Sequence, residues 1–189
     1  RNSLTSNSNA AIGGLALCAN TTGSCNTAIG FAALRCNTTG SYNNAIGVCA
    51  LRISLSGSYN TAIGCCALYS NYGGGDNTAV GRSALCNNTT GDYNNAIGGY
   101  ALGANTTGSS NTALGFAPLG NNTTGSFNTA IGYFAKHHNK TGCHNTAIGQ
   151  QSLFHANSGH NNFAAGQYAL CSNYGGGHNT AIGGGALRS

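Results

Sequence analysis

Six histidines crowd the last third of the chain, all between His137 and His178. His138 and His155 are 17 residues apart, and so are Cys143 and His160. Imidazole and thiolate are ligands for Zn²⁺ and similar ions. A fold that set residues 17 apart side by side would make these four a candidate metal patch. No carboxylate lies nearby in sequence to orient the rings, as metal-bound histidines ordinarily require. Cys49 and Cys66 share the same spacing, which on neighbouring strands would put their Cα atoms roughly 4.8 Å apart, within reach of a disulfide. Nine cysteines in all leave at least one free or paired with another chain. No CxxC or CxxCH occurs, which argues against zinc ribbons and c-type haem. Asn20, Asn37, Asn87, Asn88, Asn105, Asn121, Asn122 and Asn139 each have Ser or Thr two residues on. In a secreted eukaryotic chain these are candidate N-glycosylation sites. Asp76 and Asp92 are the only carboxylates, and there is no phosphate loop and no Ser/His/Asp set. No catalytic residue and no cofactor are assigned, and the chain is expected not to be an enzyme.

What would bring residues 17 apart together is the repeat that runs the length of the chain. Gly13, Gly30, Gly47, Gly64, Gly81, Gly98, Gly115, Gly132, Gly149, Gly166 and Gly183 follow one another at intervals of 17 without an insertion or deletion. Numbering each copy from its leading Asn, column 1 is always Asn, column 3 always Ala and column 5 always Gly. Column 4 is Ile in eight copies and otherwise Val80, Leu114 or Ala165. Column 8 is mostly Ala, column 9 is Leu except at Lys136, column 12 is mostly Asn, and column 15 is Gly in every complete copy. Columns 6, 7, 10, 11, 16 and 17 vary.

A fixed period of this kind is the signature of a solenoid or array. Gly at columns 5 and 15 and frequent Asn and Thr argue against helix. The expected fold is all-β, a parallel β-solenoid (β-roll or β-helix) of eleven 17-residue coils forming one domain over residues 1–189. A partial coil covers residues 1–8, and coils start at 9, 26, 43, 60, 77, 94, 111, 128, 145, 162 and 179. Two short strands per coil are expected, one at "NTAIG" and one at "xxALxx", with "NTTGxx" as the turn. In the second coil, Asn26, Ala28, Ile29, Gly30, Leu34, Asn37 and Gly40 would be rungs of structural ladders. Ile29 and Leu34 would meet inside a thin core across a bend at Gly30, and Ala28 would face outward, kept small either by another chain packed against it or by a tight bend that tolerates only alanine. Stacked asparagine amides would satisfy the turns above and below.

Charged residues are 5% of the chain, and the net charge of +5 is spread without a basic run. Nucleic-acid binding is therefore not expected. No apolar run approaches the roughly 20 residues of a membrane span. No signal peptide is visible, and Arg1 falls within a repeat, as in a mature or partial chain. Rings in variable columns, among them Tyr42, Tyr59, Phe31, Phe116, Tyr133 and Phe134, suit lateral contacts or sugar stacking.

The unit "NTAIGxxALxxNTTGxxN", with Ala28-Ile29-Gly30 as its most specific part, resembles two groups across all 189 residues. One is the head repeats of trimeric autotransporter adhesins, which form β-rolls. The other is the arrays of phage tail-fibre-like and bacterial surface proteins. The resemblance implies an elongated extracellular fibre, on a cell or virion surface, and no enzyme. The leading expectation is a structural subunit or segment of such a filament, self-assembling by coil stacking and lateral packing, with open strand edges at both ends inviting further coils. The alternative is an adhesin or tail-fibre shaft that binds surface glycans through its variable columns. A third is an ice-binding solenoid, although the adjacent threonines of "NTTG" cannot both face one way along a strand.

Overall fold

The computed structural model describes residues 8–188. The partial coil expected at 1–8 lies outside them, apart from Ser8. Eleven three-residue strands follow at the repeat interval: β1 (Ala10–Ile12), β2 (Thr27–Ile29), β3 (Asn44–Ile46), β4 (Thr61–Ile63), β5 (Thr78–Val80), β6 (Asn95–Ile97), β7 (Thr112–Leu114), β8 (Thr129–Ile131), β9 (Thr146–Ile148), β10 (Phe163–Ala165) and β11 (Thr180–Ile182). They form one parallel sheet in chain order. Each strand pairs with the next in the repeat register, as in Ala45↔Ala62 and Ile46↔Ile63. The fold is the expected β-solenoid.

Only one strand forms per coil, not two. The "xxALxx" segment takes another path because its backbone alternates hands. Gly30 has φ +131°, Ala32 φ +55° and Leu34 φ +48°, and the same three columns repeat this in every coil. No strand tolerates such alternation. The segment still bonds from coil to coil: Leu34 N–H donates to Ala50 O at 3.0 Å, and Ala32 N–H donates to Gly14 O at 2.9 Å. A left-handed leucine costs on the order of 1–2 kcal/mol. Burying its side chain returns about 1.5–3 kcal/mol, and Leu34, Leu51, Leu68, Leu85, Leu102, Leu119 and Leu153 are all at 0% exposure, which places them at the top of that range. Burial wins, which is why column 9 holds leucine despite its backbone.

The expected placement of columns 3 and 4 is reversed. Ala28, Ala45 and Ala62 are at 0% exposure, whereas Ile29, Ile46 and Ile63 are at 37%, 39% and 39%. The reason is the period of two along a strand. Asn26 at column 1 is buried, so Ala28 points inward with it, and Thr27 and Ile29 point out. The inside of the coil is filled by the column 3 and column 8 alanines against the column 9 leucine. Ala28 is small because it lies inside a narrow coil, not because another chain presses on it.

Both asparagine ladders form. At column 1, Asn43 N–H donates to Asn26 Oδ1 at 2.9 Å, and Asn43 Nδ2 donates to Gly57 O at 2.8 Å. At column 12, Asn37 Nδ2 donates to Gly40 O within its own turn and to Asn20 Oδ1 of the coil before, at 2.9 and 2.8 Å. The column 15 glycine is held to hydrogen by this packing: a Cβ on Gly40 would lie 2.3 Å from Gly57 O and 2.5 Å from Asn37 Oδ1.

The column 12 ladder breaks where Ser54 and Ala156 replace asparagine. Asn37 Oδ1 and Asn139 Oδ1, each facing a break, are buried without a partner, as is Ser54 Oγ. Ser54→Asn supplies an amide to Asn37 Oδ1 and is expected to stabilise the chain by about 1 kcal/mol, read as a higher urea midpoint at unchanged slope.

Candidate functional site

Outside the ladders, the varied columns build two surfaces. The first is the outer face of the sheet. Its rows are column 2, mostly threonine, and column 4, mostly isoleucine, set one coil apart along the stack. Ile29, Ile46, Ile63, Ile97, Leu114 and Ile148 are 37–44% exposed, an unbroken aliphatic row alternating with side-chain hydroxyls and amides. The threonines relevant to a regular outward face are thus those of "NTAIG", not the "NTTG" pair.

The second surface is an aromatic band. Phe116 stacks on Tyr133 with centroids 5.7 Å apart, and Phe134 meets Phe116 and His137 edge-on at 5.7 and 4.7 Å. His137 stacks on Phe154 at 5.9 Å, His138 on His155 at 5.4 Å, and His155 on Tyr174 at 5.4 Å. Identical columns in successive coils lie one strand spacing apart, so like rings stack without further help. Tyr42 on Tyr59, centroids 5.0 Å and planes 3° apart, repeats this at column 17. Where Gly103 and Gly120 occupy column 10, the band opens into a groove of about 460 Å³ lined by Tyr100, Phe116, Phe134 and His137, with Asn87 and Asn121 among its polar groups.

The sequence-expected metal patch is not assembled. His138 and His155 stack face to face at column 11, where His138 Nδ1 lies 3.3 Å from Asn121 Nδ2. Cys143 and His160 pair at column 16, where the Cys143 N–H donates to His160 Nδ1 at 3.0 Å. That bond occupies the nitrogen a metal would need. Among the described residues no group of three or more His, Cys, Asp or Glu is placed to hold a metal ion. Burial, with the neighbouring His137 and His155, lowers the pKa of His138.

Cys49 and Cys66 occupy the same column on adjacent coils, but both are free thiols, as are the other seven cysteines. The close sulfur contact of Cys66 is with Cys65, at 3.6 Å. Burial first, then this hydrogen bond, pushes the Cys66 thiol up to about 11. A thiol so far from ionisation at neutral pH is a poor nucleophile for disulfide formation.

The asparagines of the column 12 sequons are structural. Asn37, Asn88, Asn105, Asn122 and Asn139 are at 0% exposure and Asn20 at 6%. Their Nδ2 atoms are bonded in the turns, as for Asn88 to Gly91 O at 2.9 Å. A glycan attached there would break the ladder, so the expected glycosylation at these six positions is corrected. Asn87 and Asn121, at column 11, are exposed and half-buried respectively, and both line the aromatic groove. Column 11 against column 12 was readable from the repeat, because the variable column is the outward one.

Asp92 is also committed to the turns: its Oδ1 accepts the Gly75 N–H at 2.7 Å. Sequence reasoning missed Lys136 as a special residue. It stands in the leucine column at 0% exposure, with Nζ donating to Ala156 O at 3.3 Å. The signal was present as the one exception in column 9. Burial lowers its pKa to about 7. No helix is long and apolar enough to cross a membrane among the described residues. No family model matches the chain, and no curated protein or solved structure matches it.

Proposed function

We propose that the chain is a structural segment or subunit of an extracellular fibre, with the solenoid as its rod, packed side by side on further copies through the threonine and isoleucine face. The observation that carries this is the unbroken outward aliphatic row on β2 to β9. Eleven strands at roughly 4.8 Å make the face about 50 Å long, and columns 2 and 4 lie about 7 Å apart along each strand. The resulting strip, on the order of 350 Å² and half of it threonine and asparagine, is within the range of patch that a solitary chain exposes. It is smaller than the roughly 800 Å² per partner of a stable pairwise interface. Pairs of rods therefore associate weakly, and long arrays associate strongly by repetition. The resemblance of the 17-residue unit to surface-fibre repeats is what supports the extracellular placement in this reading. Electron microscopy of the purified chain tests the reading. Bundles or filaments with the roughly 4.8 Å coil spacing along their axis support it, and compact single particles at every concentration overturn it.

The same face supports ice binding as a second reading. Its threonines and isoleucines point one way in a regular two-row lattice, the arrangement that the "NTTG" pair cannot provide. Thermal hysteresis in a freezing assay, lost in Thr61→Lys, would favour it over assembly, and no hysteresis removes it.

A further inference from the structure

We infer that the groove over Gly103 and Gly120 is a binding site for a neutral pyranose ring. The groove results from a local omission. Column 10 carries Tyr69, Cys86, His137 and Phe154 in the coils around it but glycine in two successive coils. Its volume, about 460 Å³, is in the range of ligand pockets, roughly 300–1,000 Å³.

The lining fits a sugar in three ways. Phe116 is 44% exposed and Tyr100 37%, so aromatic surface stays open to the apolar C–H face of a pyranose even with Tyr133 stacked on Phe116 and Arg82 over Tyr100. Asn87 and Asn121 offer amide donors and acceptors to the hydroxyls on the sugar's edge. His137 Nδ1 lies 2.9 Å from Ala117 O, which can only accept, so an uncharged ring carries its hydrogen there and leaves Nε2 as an acceptor. No acidic or basic side chain other than His137 lines the groove. Arg82 lies over Tyr100 at 5.2 Å, outside the lining. The absence of Lys, Arg, Asp and Glu from the lining selects neutral sugars over charged ones.

The glycine floor makes room for His137. A Cβ on Gly120 would lie 2.5 Å from the His137 ring, so the histidine folds over this glycine. Gly103 has no left-handed requirement, and its nearest contact for a Cβ is Tyr100 O at 3.2 Å. That contact is tight and needs a shift of a few tenths of an ångström, which column 10 makes elsewhere for Tyr69 and Phe154, and a large side chain at position 103 would fill the groove.

The sugar can be free or carried by Asn87 or Asn121 of the chain itself, since both have the Asn-x-Thr pattern. The choice of expression host separates these sources. Chain made in bacteria, without glycans, is titrated with neutral and charged oligosaccharides and followed by saturation-transfer NMR, which tolerates large assemblies. Saturable transfer to neutral sugars with a dissociation constant in the millimolar range or tighter is expected, weakened at least about tenfold in Gly103→Phe and in Phe116→Ala. Chain made in a glycosylating secretory host is expected, if modified at Asn121, to show the attached sugar in contact with the Tyr100 and Phe116 rings and reduced uptake of free sugar. Transfer in either arm that Gly103→Phe abolishes supports the site. No transfer in both arms, transfer to charged sugars alone, or transfer unchanged in Gly103→Phe overturns it. Circular dichroism and urea midpoints of both variants confirm that the stack is intact.

Discussion

Gly64→Ala is expected to destabilise the chain by at least about 3 kcal/mol. Gly64 has φ +130°, a backbone region essentially reserved for glycine. A Cβ there would also lie 2.7 Å from Gly81 O and 2.8 Å from Gly81 C. Neither atom can yield, because each belongs to the backbone of the next coil, whose Gly81 N–H is bonded back to Ile63 O at 2.8 Å. Strand contacts run only between successive coils. In such a one-dimensional stack a damaged interface divides the array rather than weakening it uniformly. Hydrogen exchange should therefore show protection lost first around β4 and β5, with the outer coils surviving. Gly99→Ala is the control: its Cβ would make ordinary contact with the Phe116 side chain at 3.5 Å, and its stability should be nearly unchanged. Equal losses in the two variants would contradict the close-approach account.

Lys136→Leu is expected to stabilise the chain at neutral pH, by about 3 kcal/mol or more. The lysine sits in the leucine ladder, fully buried, with one hydrogen bond to Ala156 O and no carboxylate partner among the described residues. Burial lowers its pKa from 10.5 to about 7. Between these values the unfolded chain holds a proton that the folded chain has released, so unfolding takes one up. Stability conferred at this position thus rises with pH across that window, by roughly 1.4 kcal/mol per pH unit. Below about pH 7 both states are protonated and this dependence ends. Urea denaturation of wild type and variant in parallel should show the leucine variant ahead at pH 7, with the gap closing towards pH 10. Parallel measurement cancels the titration of cysteines and tyrosines that both chains share. A gap independent of pH would mean that the buried amine is not the cause.

Much of this architecture was legible in the repeat. The interval without insertions set the coil length, and the constant Asn and Gly columns became the ladders and close approaches. What was misread was direction. Columns 1, 3 and 5 are constant while columns 2 and 4 vary, a period of two that places the constant set inside. Treating isoleucine as the core residue because it is the larger apolar one inverted the strand, since a narrow coil accommodates Ala62 and exposes Ile63. The second strand was wrongly expected for a different reason. Nothing in "FAALRC" announces left-handed backbone at Ala32 and Leu34, because that conformation is imposed by closing the coil in 17 residues. The aromatic groove was half legible: Phe116 and Phe134 stood in variable columns, but the opening is made by the neighbouring absences at Gly103 and Gly120. Shared columns correctly predicted the adjacency of His138 with His155 and of Cys143 with His160, yet the two pairs are not gathered into one ligand set, and a backbone N–H takes the His160 Nδ1 lone pair.

The central claim is that the outward isoleucine row holds rods together while contributing little to the folding of each. Ile46, Ile63 and Ile97 are 39%, 39% and 44% exposed on the face of the sheet. Changing all three to lysine leaves the alanine, leucine and asparagine interior untouched and places like charges on the assembling surface. The deciding measurement is sedimentation velocity of the triple variant beside wild type under reducing conditions, with circular dichroism on the same samples. The account predicts an unchanged spectrum and a cooperative melt lowered only by the lost association, with wild type in large concentration-dependent assemblies and the variant a slow single species. Assemblies of equal size in both proteins, or a variant that no longer folds, would contradict it.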